Sequence, residues 1–209
     1  MITDRPGGMF IRVPWAVVRA RFPRLLLGLS FFGAGSALQV QATLGLSPWE
    51  VLHQGIAART PLSIGIATIV VGVLVLLLWI PLRQALGVGT VANVVFIGLV
   101  IDLVIFLTPT PETLLMRWVF LLGGILCVGI GSGFYIGVHL GPGPRDGLMT
   151  GIARRGPSLR LARTAVEGTA LVAGWLLGGT VGVGTVLFSL SIGPLVQFFL
   201  PRLEIKANP

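Results

Sequence analysis

The chain has 209 residues, of which 54% are hydrophobic and only 11% charged, and its mean hydropathy is +0.94. A soluble domain keeps about a quarter of its residues charged, so this composition cannot coat a water-facing surface and argues against a soluble globular fold. The formal charge of +8, from 15 basic and 7 acidic residues, does not mark a nucleic-acid binder: the basic residues crowd between apolar runs, where they set topology and meet anionic headgroups, and no basic stripe carries interleaved aromatics.

In chain order, residues 1–24 are mostly polar and Arg-rich. They lack the apolar stretch and cleavage site of a signal peptide and read as a cytoplasmic basic N-terminus. Six apolar runs follow, at 25–44, 62–81, 90–108, 118–140, 161–178 and 185–201. Each approaches the roughly 20 residues needed to cross a bilayer. Of the 15 basic residues, only Arg59 and Arg117 fall on outer segments when the N-terminus is placed in the cytoplasm. The positive-inside rule then gives N-in and C-in, with Arg5, Arg12, Arg145 and Lys206 among the inner cations.

The chain also repeats itself. At a shift of 96, Gly28, Gly33 and Gly35 fall on Gly124, Gly129 and Gly131, Pro48 on Pro144, Glu50 on Asp146, and Trp79 on Trp175. At a shift of 95, Gly87-Val88-Gly89-Thr90 falls on Gly182-Val183-Gly184-Thr185. Gly, Pro, Trp and acids do not readily coincide by chance at a fixed offset. The expected fold is an all-α membrane protein of six transmembrane helices, arranged as repeat one (25–108) and repeat two (118–201). Three spans per repeat is an odd number, so the second repeat enters from the opposite side. Inverted pairs of this kind recur in secondary transporters.

Each repeat carries a short helix between its first two spans. Ser47-Pro48-Trp49-Glu50 gives an N-cap, a proline start and an acid at the third helical position, with the helix running to about Arg59. Gly143-Pro144-Arg145-Asp146 opens the second, running to about Arg155. About 12 residues span about 18 Å, too short to cross the bilayer. Either both helices lie in the interface with their acids as caps, or both are re-entrant with their N-termini meeting near the midplane. The second arrangement would aim free N–H groups and positive dipole ends at an anion or carboxylate.

Ser47, Trp49, Glu50, His53, Arg145 and Asp146 are therefore candidate substrate-binding or coupling residues. Arg145, opposite Trp49 in the repeat, could clamp a carboxylate or phosphate or pair with Asp146 or Glu50. Two further acids lie inside spans and are candidates by default. Asp102 has no basic residue three or four places away. Glu167 has Arg163 four residues before it, so a local ion pair can neutralise it. Thr90 and Thr185 read as N-caps of the third and sixth spans. No metal-ligand spacing, cofactor motif or catalytic triad emerges from the single Cys127 and two histidines, so neither a metal, a cofactor nor an enzyme is expected.

The runs 44–53 (LGLSPWEVLH) and 140–149 (LGPGPRDGLM), with Gly182-Val183-Gly184-Thr185, resemble the YczE/YyaS/YitT group of bacterial integral membrane proteins, closest to its YczE-like branch. Glu50 stands where that group leads one to expect aspartate, which keeps the charge. The resemblance implies a multi-pass protein of the bacterial plasma membrane and supplies no substrate. The expected function is secondary transport of a small solute or ion, an anion among the candidates. The alternative is a non-transporting assembly or regulatory subunit. The bilayer is the expected partner, nucleic acid is not, and a homo-oligomer is allowed.

Overall fold

The computed structural model describes residues 10, 11 and 13–205. Among these it holds eight helices: α1 (Trp15–Ala42), α2 (Pro48–Arg59), α3 (Ile64–Leu82), α4 (Val88–Leu107), α5 (Leu114–Gly137), α6 (Pro144–Ala153), α7 (Leu159–Leu176) and α8 (Val183–Leu203). Five of them, α1, α3, α4, α5 and α8, are long and apolar enough to cross a membrane. Their outer faces carry exposed Leu74, Leu77, Leu103, Phe106 and Leu190. Such faces cost about 25 cal/mol per Å² in water and nothing against acyl chains. The chain is a multi-pass membrane protein whose helices contact the lipid bilayer.

Three expectations need correction or restriction. The run at 161–178 is present as α7, but Arg160, Arg163 and Glu167 leave it less apolar than the other five. α1 starts at Trp15 rather than Leu25, because its basic turn is anchored. Arg21 donates to the Val138 carbonyl at 3.0 Å and Arg24 donates to the Leu203 carbonyl, so both cations sit on helix C-termini, where positive charge is favoured. Arg5, Arg12 and Lys206, which contribute to the orientation argument, lie outside the described residues.

Thr90 and Thr185 are not N-caps. The caps are Gly87 and Gly182, and each threonine occupies the third helical position. Its hydroxyl accepts from the cap's own N–H at 3.2 Å in both helices. That is half of a capping box, hidden from sequence reading because glycine offers no side-chain oxygen. The glycines two places further on dock the loops. Gly89 N–H donates to the Leu140 carbonyl at 2.8 Å, and Gly184 N–H donates to the Leu44 carbonyl at 2.7 Å.

α1 and α5 form the most extensive seam, with α4 against α1 and α8 against α5. A side chain at Gly28 would strike the Gly131 carbonyl, and one at Gly35 would strike the Gly124 carbonyl. The two backbones therefore touch directly, as small residues permit in membranes. Leu25, Leu29, Leu121, Val128 and Leu140 fill the surrounding core. A second cluster, built on Trp79, Val71, Val75, Trp49 and Leu148, lies where the short helices meet α3. α2 packs on α7 and α3, while α6 packs on α3 and α7. α3 also packs along α4, whereas α7 and α8 share no comparable seam.

Candidate functional site

α2 begins as its sequence dictates. Ser47 is the N-cap, its hydroxyl accepts from Glu50 N–H at 3.5 Å, and Pro48 starts the helix. α6 begins with Pro144 after Gly143, a cap with no side-chain hydrogen bond, and carries Asp146 in its first turn. It ends at Ala153, slightly before the expected Arg155.

The first turns of both short helices line one cavity of about 60 Å³. α2 contributes Trp49, Glu50 and His53, and α6 contributes Arg145. Phe32 of α1, Tyr135 of α5, Thr68 of α3 and Asn93 of α4 complete the polar and aromatic wall. A buried water needs about 10–15 Å³ of such space, so the cavity holds on the order of four waters or a solute of a few atoms.

Glu50 is only 4% exposed, and its carboxylate accepts from the Ser36 hydroxyl at 3.1 Å. His53 is 5% exposed, and its Nδ1 shares a hydrogen bond of 3.1 Å with the Thr68 hydroxyl. Trp49 is 8% exposed, with its ring 6.3 Å from the His53 ring. Its Nε1–H has no acceptor among the described residues. Arg145 is half-buried, with its guanidinium carbon 5.1 Å from the centre of the Phe32 ring. Among the described residues it makes no ion pair; those present are Arg163–Glu167 and His139–Glu204. Asp146 accepts from the Tyr135 hydroxyl at 2.6 Å, beside the cavity rather than in its wall.

The structure thus gathers Trp49, Glu50, His53 and Arg145 round one space, with Asp146 one contact away. Ser47 is buried as the α2 cap and does not line it. Asp102 and Glu167 lie elsewhere. Asp102 accepts from the Ser63 hydroxyl at 2.5 Å and from Gly65 N–H at 2.8 Å. It has found its partner at the N-terminus of α3, where a negative charge is favoured. Glu167 accepts from Arg163 Nε at 3.1 Å, the local pair its spacing suggested. Gln41 accepts from the Thr110 hydroxyl at 2.9 Å and so ties a loop down.

Sequence reasoning missed Tyr135, Ser36, Phe32 and Thr68. Tyr135 left a signal: it is the only tyrosine of the chain, and a phenol inside an apolar run needs a hydrogen-bond partner. The others carry no mark that separates them from ordinary helix residues.

The chain matches the family described as "Family of unknown function (DUF6198)" over residues 19–201. It is 43% identical over 187 residues to an uncharacterized protein of Haemophilus influenzae, covering 89% of this chain and 86% of that protein. It is 32% identical over 178 residues to the uncharacterized membrane protein YczE of Bacillus subtilis, covering 84% and 83%. It is 25% identical over 185 residues to the uncharacterized protein YyaS of the same organism, covering 85% and 91%. No solved structure matches.

Proposed function

The chain belongs to the DUF6198 family, and on that footing we propose that it is a secondary transporter of a small solute or ion, with its site between two inverted repeats. The observation that carries this reading is the single cavity lined by the first turns of α2 and α6. A mostly apolar space with a few converging polar side chains, at the meeting of two short helices, is where such transporters hold their cargo.

The repeat reading draws support from reciprocal contacts. Gly28 meets Gly131 and Gly35 meets Gly124, each glycine facing the position 96 residues beyond the other. The bond from Gly184 to Leu44 has its counterpart in the bond from Gly89 to Leu140. Contact of α2 with α7 has its counterpart in α6 with α3. The re-entrant reading draws support from Glu50, which reaches Ser36, about 9 Å by helical rise before α1 ends. α7 is then the sixth crossing, its Arg163–Glu167 pair neutral within the bilayer. The proposed setting is the bacterial plasma membrane, N-in and C-in.

The test is flux in liposomes containing the purified protein. Glu50→Gln and Asp146→Asn should abolish flux while the variants elute and melt as folded protein. Wild-type flux in both variants overturns the site. An absence of flux for every small ion or solute tried favours the non-transporting subunit.

A further inference from the structure

The site has donors that no described residue satisfies. An indole N–H can only donate, and a buried donor without an acceptor is destabilising. Trp49 Nε1–H is such a donor. Arg145 adds a fixed positive charge with five N–H groups. Its neighbour is the Phe32 ring, and no carboxylate pairs with it among the described residues. A cation at membrane depth is expensive unless it finds a partner. The first turn of α6 adds backbone N–H groups that no side chain caps.

Glu50 and Asp146 each accept from a neutral hydroxyl, of Ser36 and of Tyr135, and among the described residues neither comes within ion-pair distance of Arg145. The volume sets the size, since about 60 Å³ admits only a few atoms. The two carboxylates also weigh against a divalent anion, which they would repel more strongly than a monovalent one.

Resting on the transport reading of the same cavity, we propose that its ligand is one small monovalent anion, of up to about four non-hydrogen atoms by the volume a water needs. Arg145 and the Trp49 indole N–H hold it at the open first turn of α6.

The test is calorimetric titration of the full chain in detergent with chloride, nitrate, sulfate and sodium, gluconate being the background anion and choline the background cation. Chloride or nitrate should bind saturably, with about tenfold weaker affinity in Arg145→Gln and a severalfold loss in Trp49→Phe. Trp49→Phe keeps a six-membered aromatic ring in place and breaks no hydrogen bond among the described residues, so it decides the matter if Arg145→Gln does not fold. No saturable anion binding, unchanged affinity in Trp49→Phe, or saturation by sodium in place of the anions overturns the proposal. Flux is a separate readout: binding in detergent without flux in liposomes supports this site and removes the transport reading, while flux of another solute without anion binding does the reverse.

Discussion

α2 buries Val51 against Gly179 of the α7–α8 loop and sets its neighbour Leu52 on Gly174 of α7. α6 has glycine at the matching place, Gly147, and receives the ring of Trp79 from α3 instead. Where the short helix carries bulk, its neighbour is hollow, and where the short helix is hollow, its neighbour carries bulk. The tryptophans follow the same logic: Trp79 is 1% exposed, while Trp175, its match at a shift of 96, is 62% exposed. The helix starts differ too. α2 closes its first turn with Ser47, whereas α6 leaves its own open and places Arg145 there. The frame thus holds a capped helix, which carries the unpartnered Trp49 indole N–H, and an uncapped one, which carries Arg145 with no ion pair among the described residues.

The severest way to break this comparison is Gly147→Leu. A Cβ there already overlaps the Trp79 ring, and overpacking costs typically about 1–3 kcal/mol and more for a full side chain. The expected result is loss of a monodisperse folded species on size exclusion, while Val51→Ala lowers stability by only about 2 kcal/mol. A Gly147→Leu protein that melts like wild type would show that the exchange of bulk between the helices does not matter.

Next in size is Tyr135→Phe. Asp146 then loses the donor it holds at 2.6 Å, a loss of about 2 kcal/mol for a partly buried charged acceptor. Ser36→Ala, which removes the 3.1 Å donor from Glu50, should cost about 1 kcal/mol. Thermal unfolding in one detergent compares the two directly, and a reversed order would mean that the α2 acid depends more on its hydroxyl partner.

The tryptophans give a sharper contrast at smaller scale. Trp79 Nε1–H donates to the Pro144 carbonyl at 3.0 Å, so Trp79→Phe strands a buried carbonyl at about 1 kcal/mol. Trp49→Phe removes the same ring volume from the core but strands no acceptor among the described residues, so it should cost about 1 kcal/mol less than Trp79→Phe. Equal losses would place an acceptor beside Trp49. The smallest effect belongs to Ser47→Ala. Its cap bond is long, at 3.5 Å, so the loss should sit at the low end for caps, about 0.5 kcal/mol.

Much of this architecture was legible in the chain. Apolar runs of membrane length located α3, α4, α5 and α8, and the proline-started turns located α2 and α6, because both signals are local. The pairing of Arg163 with Glu167 is local as well. What could not be read depends on which helices meet. Asp102 looked like a lone intramembrane acid, since its partners Ser63 and Gly65 stand at the start of α3, on another helix. The start of α1 was obscured because Arg21 and Arg24 spend their charge on carbonyls more than a hundred residues away in sequence. At the site, charged and aromatic residues stood out from the apolar background. Ser36 and Thr68 did not, because a hydroxyl inside a membrane helix commonly bonds to its own backbone.

The seam between α1 and α5 also sets a timetable for biogenesis. About a hundred residues separate Gly28 from Gly131, and a ribosome adds about 5–20 residues per second. α1 therefore leaves the ribosome about 5–20 s ahead of the helix that covers it. For that interval its glycine backbone, Ser36 and Gln39, all buried in the finished bundle, must be kept by the insertion machinery or by lipid. Slowing elongation between α1 and α5 lengthens this exposure without altering a single contact of the final fold.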